Sequence, residues 1–167
     1  THYEPLLAPL SERLGRSVQF ATAPNWKDFY SRTKQGDYDV VVSAANVARL
    51  AERELGFKPI AQYEPTIPGL LVVKKGVTGD VSTLLKGQTL AFSNPSSLVA
   101  FEGLRWLEQK GLVMDEQFRS LQVKADDSVG RVILRGEAVA GVLSGGEFRA
   151  HPEEIRNQLV VHTQFAD

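Results

Sequence analysis

Apolar positions recur along this chain with two periods, 3.6 and 2, which alternate over nearly its whole length. Tyr3, Leu6, Leu7, Leu10 and Leu14 trace one face of a first helix, and Gly15 is placed to stop it. Pro5 suits a first turn, whereas Pro9 removes an interior hydrogen bond and predicts a late start or a kink. Residues 17–23 read as a strand. Asn25 is placed to cap a helix that carries Trp26, Phe29, Tyr30 and Thr33 on one side and ends at Gly36. Residues 38–43 are a short β-branched run of the kind that forms a buried parallel strand. Residues 44–55 return to helix, with Val47, Leu50 and Ala51 inward and Arg49, Glu52 and Arg53 outward. Gly56 ends it, and residues 59–63 read as another strand.

After Glu64-Pro65-Thr66 the pattern restarts. Strands are predicted at 69–74, 88–92, 121–125, 138–144 and 159–163. Helical segments are predicted at 81–85, 96–110 and 128–135, the last two ending at Gly111 and Gly136, with a short turn at 147–150. Strand–helix–strand alternation with short connections implies parallel sheets flanked by helices. The restart divides the chain into a first lobe over 1–66, a second over 67–160 and a crossover back toward the first over 161–167.

In such sheets ligands bind beyond the carboxyl ends of the strands, where helix N-termini turn backbone N–H groups outward. Three strand-to-helix junctions are rich in small polar residues: Ser43-Ala44-Ala45-Asn46, Ser93-Asn94-Pro95-Ser96-Ser97 and Ala125-Asp126-Asp127-Ser128. The same residue types are helix N-caps, so each junction has a structural reading beside the ligand-binding one. From these junctions Ser43, Asn46, Asn94, Ser96, Ser97, Asp126 and Asp127 are candidate ligand-binding residues. Trp26 joins them as an aromatic wall for an apolar or cationic group, with a core tryptophan as the alternative.

Composition narrows the function classes. Nineteen lysines and arginines against 20 acidic residues give a net charge of −1, interspersed in sequence. This lacks the basic field that nucleic acid or an anionic membrane attracts. No apolar run approaches the roughly 18 to 20 residues that cross a bilayer. The chain opens at Thr1 without a charged-then-apolar leader, so a secretion signal is expected to have been removed or to lie outside it. The absence of cysteine excludes disulfides, thiolate metal sites and a cysteine nucleophile. His2, His151 and His162 do not form a metal-binding pair, and no metal or cofactor is expected. Ser144 falls one position too late for a nucleophile elbow, there is no phosphate-binding glycine loop, and no nucleophile–base pair stands out. No catalytic residue is nominated, and the chain reads as a binder rather than an enzyme.

The order and spacing of several local motifs resemble the phosphonate-type substrate-binding proteins of bacterial ABC importers. They are Tyr3-Glu4-Pro5-Leu6 with the following Leu14-Gly15, Asn25-Trp26, and Gly36-Asp37-Tyr38-Asp39-Val40. Further on come Lys58-Pro59-Ile60-Ala61, the run from Leu84 through Leu85-Lys86-Gly87-Gln88 to Phe92, and Leu134-Arg135-Gly136-Glu137-Ala138. The resemblance runs over nearly all of the chain. It implies an α/β, type II periplasmic-binding-protein-like fold, two lobes of mostly parallel sheet flanked by helices, with a small molecule held between them. It also implies that the family's first strand and C-terminal segment are lacking here.

This sequence departs from the family at its ligand positions. The family's Ser-Thr-Ser run at a helix start falls on Ser97-Leu98-Val99, and its Ser-His on Ala125-Asp126. Its tyrosine opening the second lobe falls near Ile67, and its late aspartate on Val139, while its aromatic persists as Trp26. A phosphonate dianion needs several donors, and a carboxylate at Asp126 would repel it. The fold is therefore kept and phosphonate dropped. A zwitterion, carboxylate toward Ser96 and Ser97 and amine toward Asp126, fits these residues better. The expected role is an extracytoplasmic solute-binding domain, with an importer's permease or a sensor kinase as partner. An effector-binding domain of a transcription regulator and, third, a small-molecule enzyme are the alternatives.

Overall fold

A computed structural model describes residues 3–62, 66–124 and 126–166, the side chains of Asp126, Asp127 and Ala166 excepted. The chain divides into two compact units, Thr1–Pro59 and Ile60–Asp167.

Among its described residues the first unit holds three α-helices. A 3-10 turn at Glu4–Leu6 leads into α1 (Leu7–Leu14), the late start that the two prolines predict. Pro9 lies in the first turn of α1, where its missing N–H costs no helical bond. Next come α2 (Trp26–Gln35), capped by Asn25, and α3 (Ala45–Leu55). Each helix ends on a glycine in the left-handed region, Gly36 for instance at φ 77°.

The strands expected at 17–23, 38–43 and 59–63 do not form; these residues are non-helical but carry no ladder, and Tyr63 lies outside the described residues. Val40 and Val42 are 58% and 50% exposed, not buried. A β-branched run favours extended backbone, but a strand also needs a neighbour to take its N–H and C=O groups. Among the described residues of this unit no segment supplies one.

The second unit carries the whole sheet. Its elements are β1 (Gly69–Lys74), α4 (Val81–Leu85), β2 (Thr89–Phe92), α5 (Leu98–Glu108), β3 (Arg119–Gln122), α6 (Asp126–Leu134), β4 (Ala140–Ser144), α7 (Gly145–Ala150), α8 (Glu153–Arg156) and β5 (Leu159–Ala166). The sheet order is β3-β2-β4-β1-β5. Strand β2 lies parallel to β3 and β4, while β1 is antiparallel to both β4 and β5. Four strands thus run one way and β1 alone against them. A continuous apolar run looks the same in either direction, so the pattern that located β1 was silent on its orientation.

Side chains alternate between the faces. Leu71 and Val73 of β1 join Leu90, Phe92 and Val142 in a core with Leu85, Val99 and Leu107 from α4 and α5. Leu70 and Val72 join Ala91 and Leu143 in a second core with Val129, Val132 and Ile133 of α6 and Ile155 of α8. The result is helix, sheet and helix in three layers. Two strand ends differ from expectation. Pairing of Thr89 with Arg119 through Phe92 with Gln122 places β3 earlier than 121–125, and Ala125 lies outside the described residues. Strand β5 runs on beyond Thr163, so residues 161–166 lie in the sheet, where Phe165 packs so close to Gly69 that a Cβ there would sit 2.3 Å from its ring.

Candidate functional site

Strands β2, β3 and β4 point their carboxyl ends to one edge of the second unit, and each is followed by a helix. That edge is where a parallel sheet presents helix N-termini to a ligand. The junction from β2 to α5 is built as a tight turn. Asn94 accepts the Ser96 amide on Oδ1 at 3.0 Å and the Ser97 amide on its carbonyl at 3.1 Å. Its Nδ2 donates to nothing among the described residues. Ser97 is the N-cap of α5, its Oγ accepting from the Ala100 amide at 3.1 Å. Capping uses a lone pair and leaves the hydroxyl proton available, so the structural and ligand-binding readings of Ser97 are compatible. Ser96 is exposed on the same loop. The side chains of Leu98 and Val99, where the resembled family has hydroxyls, offer no donor, and Val99 is 8% exposed in the first core.

The end of β4 holds residues that the sequence analysis left out. Ser144 caps α7, its Oγ accepting from the Glu147 amide at 3.1 Å, and Glu147 Oε2 accepts from the Ser144 amide in return. This reciprocal pair is a capping box, and Ser144-Gly145-Gly146-Glu147 after an apolar run is its sequence signature. The other oxygen of Glu147 accepts from the Ser93 hydroxyl at 3.5 Å, joining the junctions after β2 and β4. Gly145 donates to the Pro68 carbonyl at 3.0 Å, which ties the start of β1 to the same edge.

The structure thus brings Ser93, Asn94, Ser96, Ser97, Ser144 and Glu147 to one edge. Asp126 and Asp127 open α6 at the end of the neighbouring strand, and their side chains lie outside the described residues.

Trp26, Ser43 and Asn46 belong to the first unit. Trp26 opens α2, is 49% exposed, and meets Phe29 edge-on with centroids 5.6 Å apart. Phe29 stacks on Tyr38 at 5.6 Å, and the Arg32 guanidinium lies over the Tyr38 ring at 5.0 Å. The hydrogen bond from Arg32 to Asp37 is the first cause of a raised Arg32 pKa, which fixes its positive charge beside this aromatic row. Ser43 does not cap α3; its hydroxyl meets the Ala44 carbonyl at 3.3 Å, and Ala44 is the N-cap, without a capping side chain. Asn46 sits in the first turn of α3.

Shallow depressions lie along α3, by Asn46, Arg49 and Arg53, and at the opposite end of the sheet, by Asp80, Gln88 and Val139. Neither reaches the strand ends just described. Among the described residues no group of His, Cys, Asp and Glu could hold a metal ion, and no helix is long and apolar enough to cross a membrane.

Comparison with solved structures finds this architecture in binding proteins. The protein XAC2383 from Xanthomonas citri, bound to chloride ion, superposes with a TM-score of 0.80 at 21% identity, over 96% of this chain and 66% of its own. PhnD1 from Prochlorococcus marinus, in complex with methylphosphonate, gives 0.78 at 17%, over 98% and 66%. A binding protein component of an ABC phosphonate transporter from Pseudomonas aeruginosa gives 0.69 at 15%, over 97% and 58%. The chain spans about two thirds of the length of the first two. At such identities the likeness is one of fold, that of type II periplasmic binding proteins. No match is found among the curated proteins. The family model for the periplasmic substrate-binding protein of phosphonate ABC transporters matches residues 1–164, and the chain belongs to that family.

Proposed function

We propose that this chain is the ligand-capturing part of an extracytoplasmic solute-binding protein serving an ABC importer, and that it does no chemistry on its ligand. One observation carries the reading. The carboxyl ends of β2 and β4 gather hydroxyl, amide and carboxylate groups, with Ser97 and Asn94 keeping donors to spare. Those groups suit the recognition of a small polar molecule. Trp26, Ser43, Asn46, Asp126 and Asp127 are assigned as further ligand contacts. A simple phosphonate is disfavoured as the ligand, because the side chains of Leu98 and Val99 supply none of the hydroxyl donors that the family's Ser-Thr-Ser run offers.

Native mass spectrometry of the full-length protein purified from its own cells tests the reading. A retained small molecule, unchanged on release, is expected. Amide chemical-shift changes on adding it back should centre on residues 93–97 and 144–147. Binding that leaves those amides untouched, or a ligand that is converted, would overturn the proposal.

A further inference from the structure

We infer that Glu147 sets the polarity of the ligand group that faces Ser93, selecting an ammonium and rejecting an oxyanion; this rests on the ligand edge proposed above. Glu147 is half-buried in the first turn of α7. Its carboxylate has hydrogen-bond donors on both oxygens, the Ser144 amide and the Ser93 hydroxyl. It has no cationic partner: among the described residues no lysine, arginine or histidine is paired with it. The guanidinium of Arg149 lies instead by Gly145, its Nη1 3.3 Å from where a Cβ on that glycine would sit. The His151 ring meets the Glu147 backbone carbonyl rather than the carboxylate.

Two consequences follow from this arrangement. The positive end of α7 is already met by a fixed carboxylate, so an incoming anion finds a full negative charge there, not a free terminus. The Ser93 hydroxyl lies 3.5 Å from that carboxylate, and with its proton turned there it presents lone pairs to a ligand. Both features call for a donor, and a charged one is favoured. An anionic group of the same ligand would lie on the other side of the junction, toward Asn94 Nδ2 and the Ser97 hydroxyl. The ligand class this describes is a zwitterion whose amine faces Glu147.

The test uses four probes on the full-length protein: β-alanine, propionate, putrescine and inorganic phosphate. β-Alanine and propionate differ by the amine alone. Glu147→Gln keeps a residue that completes a capping box, and so removes the charge with the helix intact. Wild type is expected to bind β-alanine roughly ten- to a hundredfold more tightly than propionate in calorimetry, as one close charge pair permits. In Glu147→Gln that preference should shrink by about tenfold, with propionate unchanged or tighter. Ser93→Ala should lower β-alanine affinity and leave propionate alone. Equal losses for both compounds in Glu147→Gln would assign the residue a structural role and overturn the inference, as would a wild type that prefers phosphate or binds no amine-bearing probe. The proposed function fails separately, by native mass spectrometry that finds no retained small molecule.

Discussion

The buried ring of His151 accepts a hydrogen bond from the Gly130 amide, with Nε2 3.2 Å from the nitrogen. Its Nδ1 lies 2.8 Å from the Glu147 carbonyl, which can only accept, so Nδ1 carries the proton and Nε2 the lone pair. A single neutral imidazole thereby joins α6 to α7, the helix that carries Glu147 at the ligand edge. A Cβ at residue 130 would lie 2.7 Å from both His151 Cδ2 and Ile155 Cγ2. Gly130→Ala is therefore expected to destabilise the second unit by roughly 1 to 3 kcal/mol, as overpacking of a close contact does. Urea denaturation measures it; an unchanged midpoint would show that the helices separate freely.

Removal of the Ser97 hydroxyl should cost about 1 kcal/mol, the usual loss for a helix N-cap. Asp at the same position also caps and should restore stability. It places a second carboxylate at the edge, however, so any acidic group of the ligand should bind less well than in wild type. Thermal unfolding with and without the co-purified ligand separates the two effects.

Asp80 caps α4 by accepting from the Ser82 amide at 2.8 Å. That backbone hydrogen bond, with the Ser82 side chain second, holds its carboxyl below the ordinary range. A lowered folded pKa means that the stabilisation is complete above the unfolded value, near about 3.9, and is lost as pH falls through the folded one. Asn caps equally well without titrating. The stability of Asp80→Asn relative to wild type should therefore be constant at neutral pH and should improve only in the acid range. A difference that changes between pH 6 and 8, on the order of that window alone, would assign the effect to another group.

Inorganic phosphate and methylphosphonate are expected to bind no more tightly than weak anions. Each charge-assisted hydrogen bond lost at Leu98 and Val99 removes roughly 1.5 to 3 kcal/mol. Calorimetry showing submicromolar affinity for either anion would mean that the donors come from elsewhere on the edge.

Much of the second unit was legible because its cues are local. Short apolar runs located β1, β2 and β4, and Gly136 marked the stop just past α6. The site was legible in part. Asn94, Ser96 and Ser97 were visible as small polar residues at a strand-to-helix junction. Ser144 and Glu147 carry a capping-box signature, a local cue for a helix start and not for a ligand.

Sequence alone located the longer helices and the extended segments, though not the short α8 (Glu153–Arg156), because apolar period, caps and left-handed glycines act within a few residues of one another. Only the tertiary structure decided which extended segments became strands. Residues 38–43 and 69–74 share a β-branched character, yet only the second group has neighbours, at β4 and β5, to complete its hydrogen bonds. It likewise decided the reversed direction of β1 and the meeting of Ser93 with Glu147 across more than fifty positions of chain, roughly five times the reach of any local cue. A strand and a site are both made by partners distant in sequence, and their pairing is settled by packing rather than by the residues of either segment alone.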